Sequence, residues 1–141
     1  LVSCLIVVAF TLIGQQVRAC SLKASGVNFA PYNVFSNAAL HSSDNIEVNC
    51  ASGVGYTIAL SEGIGNYEHR AMISGAHALN YNLYTAVNYA LVWGNNTSGT
   101  ITVSESGTGV SVNHVVYGQI PPHQNVPAGS YSDTITVEIT F

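Results

Sequence analysis

Charge is what this 141-residue chain has least of. Lys, Arg, Asp and Glu make up 7% of it, three basic residues and seven acidic, against about 25% in an average soluble domain. Three cations cannot line a phosphate backbone, so nucleic acid is excluded as a partner. The net charge of −4 is too mild to imply a cationic one. Charge runs, linkers and internal repeats are missing, and the length suits one domain rather than two. A helical apolar stripe longer than about two turns is missing as well, which argues against a helical bundle or βαβ units.

The usual marks of catalysis are also wanting. The histidines are His41, His69, His77, His114 and His123. None is paired at the helical i, i+4 spacing of a zinc protease, and no cysteine pair flanks them as in a zinc knuckle. Gly63-Ile64-Gly65 and Gly107-Thr108-Gly109 lack the third glycine and the strand–helix setting of a nucleotide loop, and read as turns. No serine sits in a Gly-x-Ser-x-Gly elbow. Glu62 and Glu68 are the one candidate acid/base pair, but solvated loop carboxylates are the ordinary case. The reading is a non-enzyme with no catalytic residue, no metal site and no cofactor.

What is present is alternation. The last stretch, AGSYSDTITVEITF, puts Ile135, Val137, Ile139 and Phe141 on one side of an extended chain and Thr134, Thr136, Glu138 and Thr140 on the other. That is the pattern of a half-buried strand, and it raises the question of what lies beside it. Similar short runs occur at Ser21–Phe29, Ile46–Ala51, Gly55–Leu60, Leu79–Leu83, Tyr89–Trp93, Thr100–Val103 and Val110–Ile120, separated by Gly, Asn, Pro and Ser turns. Tyr supplies eight of the aromatic residues. The composition suits a secreted all-β protein, an antiparallel sandwich over about Cys20–Phe141. A β-barrel of the same size fits the pattern too.

Residues 1–13 are apolar apart from Ser3 and Thr11. That length matches the apolar core of a signal peptide and is short for a membrane span. Val17-Arg18-Ala19 supplies small residues where a signal peptidase reads, so residues 1–19 are expected to be a leader, incomplete at its start and cut after Ala19. The mature chain then has no membrane span. The alternatives are a buried strand or helix over this stretch, or a lipoprotein cut before Cys20. Removing the leader removes Cys4 and leaves Cys20 and Cys50, an isolated pair expected to form a disulfide in an exported protein.

Four places call for structural rather than ligand-binding readings. Arg70, beside Ala71-Met72-Ile73, is expected to lay its stem on the core edge and pair with a carboxylate. Trp93, before Gly94, is expected in the core, with an exposed binding aromatic as the rival. Tyr131, two residues after Gly129, can return its hydroxyl to the upstream backbone as in a tyrosine corner. Asp133 can accept from turn amides.

Taken together, Cys20 with GVNFAPYNVFS, then IEVNC, YTIALSEG, RAMISGAHALNYNLYT, WG, and a closing VYGQIPPHQNVPAGSYSDTITVEITF that holds Tyr117-Gly118 resemble the spore coat protein U family, which includes subunits of archaic chaperone–usher pili. Ala30 departs from it, since the family usually has Gly after the Phe. The resemblance implies an incomplete immunoglobulin-like sandwich lacking its final strand. A periplasmic chaperone lends that strand in transit, an usher receives the subunit, and a neighbouring subunit replaces the strand in the assembly. The edge formed by Ile135, Val137, Ile139 and Phe141 would be the acceptor. It implies export through the periplasm to the cell surface. With the leader cut after Ala19, no donor extension precedes Cys20, which implies a tip or adhesive subunit, or a surface coat. The alternative is a self-contained secreted lectin-like domain.

Overall fold

The computed structural model describes residues 2–13 and 20–141, and every regular element in them is a strand. In chain order these are β1 (Val2–Ile13), β2 (Cys20–Ala24), β3 (Asn28–Phe29), β4 (Leu40–Cys50), β5 (Gly55–Leu60), β6 (Arg70–Ser74), β7 (His77–Tyr84), β8 (Val103–Ser106), β9 (Ser111–Ile120) and β10 (Gly129–Thr140). The ladders run β2-β4-β9-β7-β6-β10-β1-β3, with β5 bridging β10 and β8.

Two layers form because β7 changes partner along its length. His77–Tyr81 pairs with β6, whereas Asn82–Tyr84 pairs with β9. One layer therefore contains β2, β4, β9 and the end of β7, and the other contains β10 with β5, β6 and β1. Alternate residues face inward from both: Ile46, Val48, Leu83, Val116 and Ile120 from the first, Ile58, Leu60, Ile135, Val137 and Ile139 from the second, all in one buried cluster. Each such side chain contributes about 1.5–3 kcal/mol when taken fully out of water. The antiparallel sandwich expected from the alternation is the fold observed, with one parallel pair, β1 against β10.

Several strand limits differ from the sequence reading. Ser21–Phe29 is broken into β2 and β3 where Gly26 takes φ +93°. Tyr89–Trp93 is a loop with single bridges Tyr84–Val92 and Trp93–Ile101, because Tyr89 takes φ +53°, outside the strand region. Strand β8 starts at Val103, where the run Thr100–Val103 was expected to end, since its partner is Gly55–Ile58. Leu40–Asn45 and Arg70–Ser74 carry no clear period-2 signal, yet both are strands, held by β9 and β7. Ala30 is not among the positive-φ residues, so the missing glycine there costs no backbone strain.

Candidate strand-acceptor groove

Strand β10 has a partner on each edge. On one edge Val137 and Ile139 oppose Leu60 and Ile58 of β5, and Ser132 opposes Ile73 of β6. On the other lies β1, parallel and in register from Val2–Gly129 to Ile13–Thr140. Residues 2–13, read from sequence as the apolar part of a leader, thus form a strand along β10. The cleavage position after Ala19 lies outside the described residues.

The even positions of β1 stand opposite the odd, inward positions of β10. Ile6 is 1% exposed, and Val8 packs against the core. Both line the wall of a small apolar void of about 20 Å³, with Gly26, Val27, Ile46, Leu60, Leu83, Val116, Ile135 and Val137 also facing it. Ile135, Val137 and Ile139 are fully buried and Phe141 partly so. An inserted strand therefore meets a continuous row of apolar side chains and a row of backbone N–H and C=O groups.

Polar contacts brace the start of β10. The Tyr131 hydroxyl donates to Pro127 O at 2.9 Å, the return contact of a tyrosine corner. Asp133 accepts from Ile64 N at 3.0 Å, Thr134 N at 2.7 Å and the Tyr81 hydroxyl at 2.6 Å. Burial pushes the Asp133 carboxyl above the usual range, opposed by these donors, and burial beside Asp133 drives the Tyr81 phenol far upward. Gly63 is required here: its φ is +61°, and a Cβ would fall 2.3 Å from Asp133 Oδ2.

Arg70 is wholly buried, not laid on the core edge. Among the described residues no carboxylate meets it. Its Nε and Nη2 donate to Ser61 O at 3.0 and 2.7 Å, Nη2 also to Trp93 O at 2.7 Å, and Nη1 to Asn82 Oδ1 at 2.7 Å. It lies 5.2 Å from the Tyr67 ring centroid. Backbone carbonyls replace the expected ion pair because the loop before β6 and the Trp93 turn both end over the guanidinium. Desolvation lowers its pKa, opposed chiefly by Tyr81 and Tyr67. Trp93 is 1% exposed, and its indole N–H donates to Ile58 O at 3.0 Å. Gly94 continues that turn, donating to Ile101 O and accepting from Leu60 N.

The other expected residues lie elsewhere. Cys20 and Cys50 are bonded and stand opposite each other in the β2–β4 register. Gly118 is under Phe29, whose ring would be 2.6 Å from an added Cβ, while Tyr117 is on the outer face of β9. Gly129 opens β10. The reading from sequence missed Tyr81, Asn82, Ser61 and Ile6. Only Tyr81 had a signal, its place between Leu79 and Leu83.

The model of the Spore Coat Protein U domain matches residues 6–138. The chain belongs to this family. Among curated proteins, "Protein U" of Myxococcus xanthus is 48% identical over 63 residues, which is 45% of this chain and 34% of that protein. Among solved structures, the CsuC–CsuE chaperone–tip adhesion subunit pre-assembly complex, from archaic chaperone-usher Csu pili of Acinetobacter baumannii, aligns with a TM-score of 0.63 at 24% identity. That alignment covers 86% of this chain and 39% of the other, so the likeness speaks for a shared fold. The family member described here spans between a third and two fifths of the relatives it matches. Among its described residues no helix is long and apolar enough to cross a membrane.

Proposed function

We propose that the protein is a non-enzymatic subunit of a surface assembly, a pilus or a coat, exported and completed by a strand from another molecule. The observation that carries this reading is the occupied edge of β10, where an apolar segment pairs along the full strand and buries Ile6 in the core. In the exported protein residues 1–19 are removed and that edge is opened. A periplasmic chaperone then fills it, an usher takes the subunit over, and a neighbouring subunit supplies the final strand. The relative with the same fold was solved with its chaperone as a tip adhesion subunit, which supports a chaperone partner. With Cys20 at the mature terminus the subunit accepts a strand without donating one, the property of a tip or adhesive position. Strand addition pairs the open backbone groups and seats alternate side chains in the groove.

The test compares residues 20–141 alone with the same protein carrying a flexible linker and an alternating apolar strand after Phe141. The fusion should be monomeric and more stable by about 1.5–3 kcal/mol for each apolar side chain seated, while the unfused protein aggregates or melts early. Equal denaturant midpoints, with the unfused protein already monomeric, would refute the acceptor reading.

A further inference from the structure

The outer face of the β4–β9–β7 layer lies opposite the groove side of the sandwich and carries a cluster of aromatic rings. Register places His41 opposite Gln119, Ser43 opposite Tyr117, and Tyr117 opposite Tyr84. Tyr89, from the loop after β7, lies across them. Its ring stacks on His41 at 4.4 Å with an interplanar angle of 14°, and meets Tyr84 and Tyr117 edge-on at 5.5 and 6.5 Å. The placement is built in: Tyr89 N donates to Ala86 O at 3.0 Å, Thr85 N to Leu91 O at 3.1 Å, and Tyr89 holds φ +53°. A left-handed backbone at a bulky residue is costly and persists where the surroundings enforce it.

We propose that this face binds a neutral glycan. Three properties select that class of ligand. The rings are partly open, and Val87 and Leu91 stand beside Tyr89 in its loop at 68% and 50% exposure, so C–H faces of a sugar ring can stack there. None of the hydroxyls of Tyr84, Tyr89 and Tyr117 bonds to another described residue, so all can donate to and accept from a ligand, as can the Gln119 and His41 pair at 2.9 Å. No Lys, Arg, Asp or Glu occupies these positions or the loop from Thr85 to Val92. A charged polymer would find no counter-charge, whereas an uncharged polyhydroxyl chain needs none. Trp93, the one tryptophan, is buried and cannot serve. The proposal deepens the adhesive part of the reading above by naming a ligand class for the surface left outside the groove.

The experiment titrates the full chain with hexasaccharides of β1,4-glucose, α1,4-glucose, β1,4-xylose and β1,4-N-acetylglucosamine, and with hexagalacturonate as the anionic control. The readout is the ring-proton NMR lines of Tyr84, Tyr89 and Tyr117. At least one neutral sugar should shift them saturably and independently of salt. Tyr89→Ala should weaken binding about tenfold, the loss of roughly one stacking contact. Tyr117→Phe keeps every ring in place and should weaken it about threefold through a lost hydroxyl. Neither variant should change the stability gained by adding a strand after Phe141, so failure here and failure of the acceptor reading are told apart. The proposal is overturned if no neutral sugar shifts these lines at about 10 mM, a concentration that reveals even millimolar affinity. It is also overturned if hexagalacturonate alone binds, if Tyr117→Phe binds like the parent, or if the lines move only with protein concentration, which would make the face an interface between copies.

Discussion

Replacing Arg70 by Met tests whether the buried guanidinium stabilises the sandwich or burdens it. Arg70 is 0% exposed and makes four hydrogen bonds to three acceptors. In the variant Asn82 Oδ1 keeps a donor, since Leu83 N reaches it at 2.9 Å. Ser61 O and Trp93 O keep none of the contacts seen here. Each orphaned buried carbonyl costs about 1–3 kcal/mol, or roughly 2–6 kcal/mol for the two. Against that, no carboxylate among the described residues contacts this cation, and removing it recovers part of a desolvation penalty of several kcal/mol. Met fills much of the vacated volume, so the cavity cost stays small. The net expectation is a loss of about 2–4 kcal/mol, a large share of the roughly 5–15 kcal/mol typical of a domain. The assay is a denaturant melt of parent and variant, each carrying the added strand after Phe141 so that both are monomeric. A variant as stable as the parent, or more so, would mean that burying the charge costs more than the carbonyls return, and would refute the reasoning.

Cys20→Ser with Cys50→Ser opens a loop spanning a sequence separation of 30; the expected cost in the same melt is about 3–4 kcal/mol, and an unchanged midpoint would contradict it. His114 faces Tyr56, with Tyr56 Oη 2.8 Å from its Nε2, and burial holds its pKa below the usual 6.5, with Glu105 opposing. A depressed imidazole contributes stability that is complete above the unfolded value and lost as pH falls through the folded one. The melting temperature should therefore drop between about pH 7.5 and 5 more in the parent than in His114→Gln; equal drops would show that His114 titrates as it does unfolded.

Alternation by itself determined the fold class. Ile135, Val137 and Ile139 repeat every second residue, and only a strand puts such residues on one buried face. The Cys20–Cys50 bond was legible because the only other cysteine, Cys4, lies in the stretch expected to be a leader, which left these two as each other's expected partner. Tyr131 and Asp133 were legible because their groups reach backbone nearby in sequence, at Pro127 and Thr134. The partners of Arg70 were not. Ser61, Asn82 and Trp93 come together only after β5, β7 and the Trp93 turn have folded around it, and carbonyls, which every residue has, leave no mark in sequence. Leu40–Asn45 became strand because β9 pairs along it, from Val115 opposite Asn45 to Ile120 opposite Leu40. The aromatic face needed the β4–β9–β7 register and one left-handed residue, Tyr89, which a periodicity cannot encode. The same holds for the edge of β10. Composition made residues 1–13 largely apolar, but which apolar surface Ile6 and Val8 meet is decided by the groove, because hydrophobic burial has no direction of its own and only the tertiary structure supplies one.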